Sequence, residues 1–153
     1  MVNIPRVTLG SDLSEGLCFA CGRNNPAGLK LCFENADGTA RTQFTPCEHH
    51  QGWPGVVHGG IISVLLDEAM SYAASYHGFD CVTARLEVRM KRVASVGETL
   101  YITSSVTGKR KQLVETAGRI TLADGTPIAE GKAVQWVADG KSRREEGKRK
   151  CQG

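Results

Sequence analysis

Between residues 61 and 76 apolar side chains return every three or four positions, at Ile62, Leu65, Leu66, Ala69, Met70, Ala73 and Tyr76. Ile61 and Val64 widen the stripe, and no Gly or Pro interrupts it. The pattern predicts one helix, apolar on most sides and therefore buried on most sides. Asp67 and Glu68 are its only charges, and Gly78 is placed to end it. Beyond it the period changes to two. Val82, Ala84, Leu86, Val88 and Met90 alternate with Thr83, Arg85, Glu87, Arg89 and Lys91, which predicts a strand with one buried face and Thr83 on the other.

Residues 99–107, 112–122 and 126–137 predict three more strands, joined by turns at Gly108-Lys109 and Asp124-Gly125. Upstream, 28–34 and 40–45 predict a hairpin whose turn, Asn35-Ala36-Asp37-Gly38, ends in the Asp-Gly pair that accepts positive φ. Residues 47–55 are rich in Gly and Pro and predict a loop. Residues before 28 have no clear period and predict loop with a short helical turn. Two strands, one long helix and an antiparallel meander make an α+β fold. A curved antiparallel sheet against one apolar helix is the simplest packing that buries both.

A chain of 153 residues is one domain by size. We divide it into an N-terminal segment 1–27, a folded domain 28–138 and a flexible basic tail 139–153. A composition 41% hydrophobic and 23% charged is that of a soluble globular protein. The net charge of +3 is too small to argue for nucleic acid, and much of the basic charge lies in residues 141–150. No stretch approaches a membrane span, and the first residues lack a signal peptide's apolar core. The expected location is the cytoplasm, where the six cysteines are expected as reduced thiols or metal ligands.

The candidate chemistry lies on the helix. At its start, His58-Gly59-Gly60 offers backbone N–H groups that no helical carbonyl accepts, in the positive end of the helix dipole. Such donors polarise a carbonyl and hold an oxyanion; glycines there also serve close packing beneath a strand. Asp67 follows Gly60 by two turns, on nearly the same side, and with Ser63, Ser71 and Ala74 forms a small polar strip. An acid among Val64, Leu65, Leu66 and Met70 suits a general base or nucleophile. Seven residues of helix rise ~10.5 Å, so Gly60 and Asp67 of one chain do not reach one reacting carbon. Two antiparallel copies of the helix bring them together, which predicts an obligate dimer with two equivalent sites.

His50-Gln51-Gly52-Trp53-Pro54-Gly55-Val56-Val57-His58-Gly59-Gly60, followed by Leu66-Asp67-Glu68-Ala69, resembles the hot-dog-fold acyl-CoA thioesterases of the PaaI-like group. The resemblance implies a five- or six-stranded sheet wrapped around the helix, an acyl-CoA substrate, and a dimer or dimer of dimers with active sites at the interface. It also implies that the Gly60 N–H polarises the thioester carbonyl while His58 and Gly59 shape the turn. Asp67 would act from the other chain, Thr83 would help orient the attacking water, and His50 or Gln51 would lie near a polar position of the catalytic loop. Arg85 is a candidate for coenzyme A phosphates. No Gly-x-Ser-x-Gly elbow is present, which argues against a serine hydrolase.

Cys18-Phe19-Ala20-Cys21 is half a zinc site, and Cys47, His49 and His50 are candidates for the other half. Unligated thiols, structural zinc and a redox pair remain open, with no cofactor needed for the chemistry. Two other functions fit the scaffold: a non-catalytic acyl-CoA-binding protein and a hydratase or dehydratase. Asp67 argues against simple binding, which does not need a carboxylate beside the scissile bond.

Overall fold

The computed structural model describes residues 16–142, so expectations for residues 1–15 and for the tail beyond 142 lie outside it. Strands β1 (Glu34–Ala36) and β2 (Thr39–Phe44) precede helix α1 (Gly59–Tyr76), and β3 (Phe79–Met90), β4 (Leu100–Arg110), β5 (Leu113–Thr121) and β6 (Pro127–Ser142) follow. All pairings are antiparallel, in one six-stranded sheet of order β1-β2-β4-β5-β6-β3. The sheet curves around the single helix, as the hot-dog resemblance implies. No helix among the described residues is long and apolar enough to cross a membrane.

The helical stripe is the core. Leu65, Leu66, Ala69, Met70 and Ala73 are fully buried, against Leu100 and Ile102 of β4, Ile120 of β5 and Ile128 of β6. A register pair of glycines lets the helix sit close: Gly118 of β5 opposes Gly131 of β6. A Cβ on either would lie 3.2–3.3 Å from Leu66. The hairpin turn forms as expected, with Asp37 at φ 51° and Gly38 at φ 84°, and Asn35 Oδ1 accepts the Gly38 N–H at 2.8 Å. Gly78, at φ 82°, donates to Ser75 O and closes α1.

Four features differ from expectation. Residues 28–33 are not a strand: Lys30 takes φ 56°, and the N–H groups of Leu29 and Leu31 go to the carbonyls of Phe19 and Ala20. Gly108-Lys109 is not a turn. It lies inside β4 beside a register shift, where glycine marks a bulge, and the chain reverses at Lys111, φ 55°. β6 continues through Ser142, past the expected start of the tail at 139. Finally, the alternating face of β3 is open in the single chain, with Leu86 37% and Met90 47% exposed. β3 is an edge of the sheet, and α1 covers only its inner part.

Candidate active site

Loop 47–58 delivers the chain to α1 and is held from both sides. Val57 N–H donates to Ala94 O and His58 N–H to His50 O, each at 2.9 Å. His58 is the N-cap in extended backbone, and its Nδ1 accepts the Gly60 N–H at 2.8 Å. An Nδ1 that accepts puts the ring proton on Nε2. Ile61 and Ile62 donate to His58 O. Gly59 and Gly60 are exposed. A Cβ on Gly60 would stand 2.9 Å from His58 Nδ1, so only glycine leaves room beside that N–H without displacing the imidazole.

Asp67 lies two turns on, half-buried, and Thr83 Oγ1 donates to its Oδ1 at 2.7 Å. Asp67 Oδ2 has no hydrogen-bond donor among the described residues. The contact corrects the simple parity of β3, which put Thr83 on the face away from the helix. Thr83 pairs with Gln135 and Arg85 with Val134, so Ala84 has no partner. That extra residue is a bulge, and it reverses which side of the strand the following side chains take. Thr83 and Met90 thereby share the helix side, and the Met90 methyl is 3.6 Å from the position of a Cβ on Gly59.

The polar strip divides. Ser63 Oγ donates to Gly59 O at 3.0 Å, near the exposed helix start. Ser71 instead accepts from Gln135 Nε2 of β6 at 3.1 Å, and Ala74 is fully buried. The chain's own sheet covers the second half of the strip.

Loop candidates have local work. His50 Nδ1 accepts the Cys47 N–H at 2.9 Å, and its ring meets Phe44 edge-on, centroids 5.0 Å apart. Burial, with His49 nearby, lowers the His50 pKa from the usual imidazole value. Gln51 Oε1 accepts the Gly55 N–H at 3.0 Å. Arg85 is exposed on β3, 3.6 Å from Glu87, a surface pair of little energetic weight.

Sequence reasoning missed the role of Glu68. It sits 100° around the helix from Asp67 and meets Cys18 and Cys21. Burial pushes its carboxyl above the usual range, and burial likewise raises the Cys21 thiol and the Tyr72 hydroxyl beside it. Cys47, His49 and His50 are not in this group, so the expected second half of a zinc site is corrected: that loop is folded on itself. Among the described residues, Cys18, Cys47 and Cys81 carry free thiols.

The thioesterase superfamily model matches residues 54–129, from the loop through α1 and into β6. Among solved structures, a thioesterase superfamily protein is 29% identical with TM-score 0.73, over 81% of this chain and 66% of that one. This chain thus spans just under two thirds of that protein's length. A hypothetical thioesterase protein from Streptococcus pneumoniae, solved with coenzyme A, is 17% identical with TM-score 0.69, over 74% of this chain and 91% of that one. The PaaI protein of the E. coli phenylacetic acid degradation operon is 22% identical with TM-score 0.68, over 74% and 83%. At those identities the last two speak to the fold alone. No curated protein matches.

Proposed function

We propose that the chain is a member of the thioesterase superfamily, whose model matches residues 54–129, and that it hydrolyses an acyl-CoA thioester to free acid and thiol, at a site completed across a two-fold dimer. The observation that carries this is the Thr83–Asp67 hydrogen bond, 2.7 Å long. It fixes one carboxylate oxygen and leaves the other free, at the edge of the sheet. A carboxylate so held is oriented to take a proton from water, and the water oxygen then attacks the thioester carbonyl. As charge builds on the carbonyl oxygen, it takes over the Gly60 N–H that His58 Nδ1 holds in the free chain. A developing anion at a helix N-terminus is the stronger acceptor of the two. Collapse of the tetrahedral intermediate breaks the C–S bond, and the leaving sulfur takes the proton that Asp67 removed from water and departs as the thiol.

The dimer is proposed from distance and from the edge. Gly60 and Asp67 are separated by ~10.5 Å of helix rise, so a second copy must supply one of them. β3 offers twelve residues of unpaired sheet edge, flanked by exposed Leu86, Met90 and Val93. A long apolar edge is a template for pairing with another strand, and two such edges meeting about a two-fold axis generate equivalent sites. Arg85, exposed on the same strand, is assigned to coenzyme A phosphates.

The test is turnover. Purified protein offered aryl, short-chain and long-chain acyl-CoAs should release free thiol from at least one class. Asp67→Asn should lower kcat by orders of magnitude while the thermal midpoint stays near that of the unmodified chain. Binding of acyl-CoA without thiol release from any class would replace this reading with a non-catalytic one.

A further inference from the structure

The side of α1 next to Asp67 carries a second constellation that hydrolysis does not use. Cys18 Sγ, Cys21 Sγ and a Glu68 carboxylate oxygen lie within 4.8 Å of one another, and Cys18 Sγ is 3.8 Å from Glu68 Oε1. We propose that these three side chains bind one thiophilic divalent cation of the zinc class, which clips the N-terminal segment to α1.

The fold builds the cluster deliberately tight. Gly22 N–H donates to Cys18 O at 2.9 Å, closing one turn that brings Cys18 and Cys21 to the same side. A Cβ on Gly22 would come within 2.5 Å of the Cys18 backbone, so the turn requires glycine there. Leu29 N–H to Phe19 O at 2.8 Å and Leu31 N–H to Ala20 O at 2.9 Å hold the turn between the two cysteines in place. Ala20 and Cys21 are buried. On the helix side, Phe33 stacks on Tyr72 with centroids 4.3 Å apart, fixing the surface from which Glu68 projects. No Lys or Arg pairs with Glu68 among the described residues, although Asp67 is its neighbour in sequence.

Metal–sulfur bonds of ~2.3 Å and metal–oxygen bonds of ~2.1 Å put tetrahedral ligand atoms roughly 3.6–3.8 Å apart. The Cys18–Glu68 separation already has that length, and the remaining edges need to close by no more than about 1 Å to reach it. Two thiolates select a soft or borderline ion over magnesium or calcium. The balance is simple. Two thiol protons leave, one dication enters beside the Glu68 carboxylate, and the cluster carries one net negative charge, with one tetrahedral position left for water. A carboxylate lacking a cationic partner thereby gains one, and two loop residues become cross-linked to the helix that carries Asp67.

The experiment uses the full chain, stripped with chelator under reducing conditions and titrated with zinc ion alone against a chromophoric chelator. The expected result is about one equivalent per chain with proton release, and a raised thermal midpoint that chelator reverses. Cobalt in place of zinc should give a thiolate-to-metal charge-transfer band. Cys18→Ser, at an exposed position, should remove most of that band and weaken binding at least tenfold; Glu68→Gln should weaken binding and keep the band. Three results overturn the proposal: no stoichiometric uptake, uptake unchanged in both variants, or conversion of Cys18 and Cys21 to a disulfide with zinc present. All three readouts are independent of thioester turnover, so an inactive but zinc-binding chain would count against the proposed hydrolysis and not against this site.

Discussion

Thr83 Oγ1 donates to Asp67 Oδ1 over 2.7 Å, tying the edge strand to the helix immediately before the bulge at Ala84. A hydrogen bond to a charged acceptor is worth ~1.5–3 kcal/mol. Thr83→Ala should therefore lower kcat by roughly 10- to 100-fold, with KM little changed, while Thr83→Ser keeps the hydroxyl and most of the rate. Steady-state thiol release with circular dichroism as a folding control checks this. Equal activity of all three proteins would remove Thr83 from the site.

The pH dependence of stability has an identifiable contributor at His50. Its pKa is lowered by burial and by His49, and its Nδ1 accepts the Cys47 N–H, so the fold favours the neutral ring. A base with a depressed folded pKa binds fewer protons folded than unfolded. Its contribution is present above the unfolded value of ~6.5 and is lost as pH falls from there through the folded value. His50→Asn keeps an acceptor but cannot titrate. Chemical denaturation from pH 7.5 down to 5 should show the variant losing less stability than the parent chain; parallel curves would contradict the assignment.

How much of this was legible in the sequence follows from which forces are local. The helix could be read because fourteen apolar or small side chains from Ile61 to Tyr76 impose one period, and packing against the sheet rewards that same period. Asp67 stood out because an acid in such a helix needs a reason. The register of β3 was not legible: nothing in Thr83-Ala84-Arg85 marks a bulge, which is decided by pairing with Gln135 and Val134. Glu68 and Cys18 are fifty positions apart, and their meeting depends on where residues 28–33 turn at Lys30. The open face of Leu86 and Met90 shows the converse limit. Alternation marks a face as apolar without telling what covers it.

Core packing predicts its own cost. Leu66 is fully buried against the glycine pair of β5 and β6, whose backbone has no side chain to move into a void. Leu66→Ala should destabilise by about 2–5 kcal/mol, lowering the thermal midpoint by roughly 4–20 °C. Calorimetry decides it, and a midpoint within a degree of the parent would mean that the helix is not seated on those strands.

If β3 pairs with its copy, its open apolar face is the place to break the assembly. Leu86→Asp combined with Met90→Asp should convert dimer to monomer in sedimentation velocity. Both side chains are over a third exposed in the single chain, so the monomer should retain its helical circular dichroism signal. Thiol release should fall with dimer content. A fully dimeric double variant would move the interface elsewhere.

The shared site is the center of this account, and mixed dimers test it most directly. Asp67→Asn removes the carboxylate, and Gly60→Val displaces the His58 ring, 2.9 Å from its Cβ position, and blocks the N–H beneath it. Each variant alone should be inactive. In a verified heterodimer one site inherits both defects and the other neither, so the two-fold arrangement predicts recovery of about half the activity of the unmodified dimer. Verified heterodimers that release no thiol would contradict it, and Asp67 and Gly60 would then serve separate purposes within one chain.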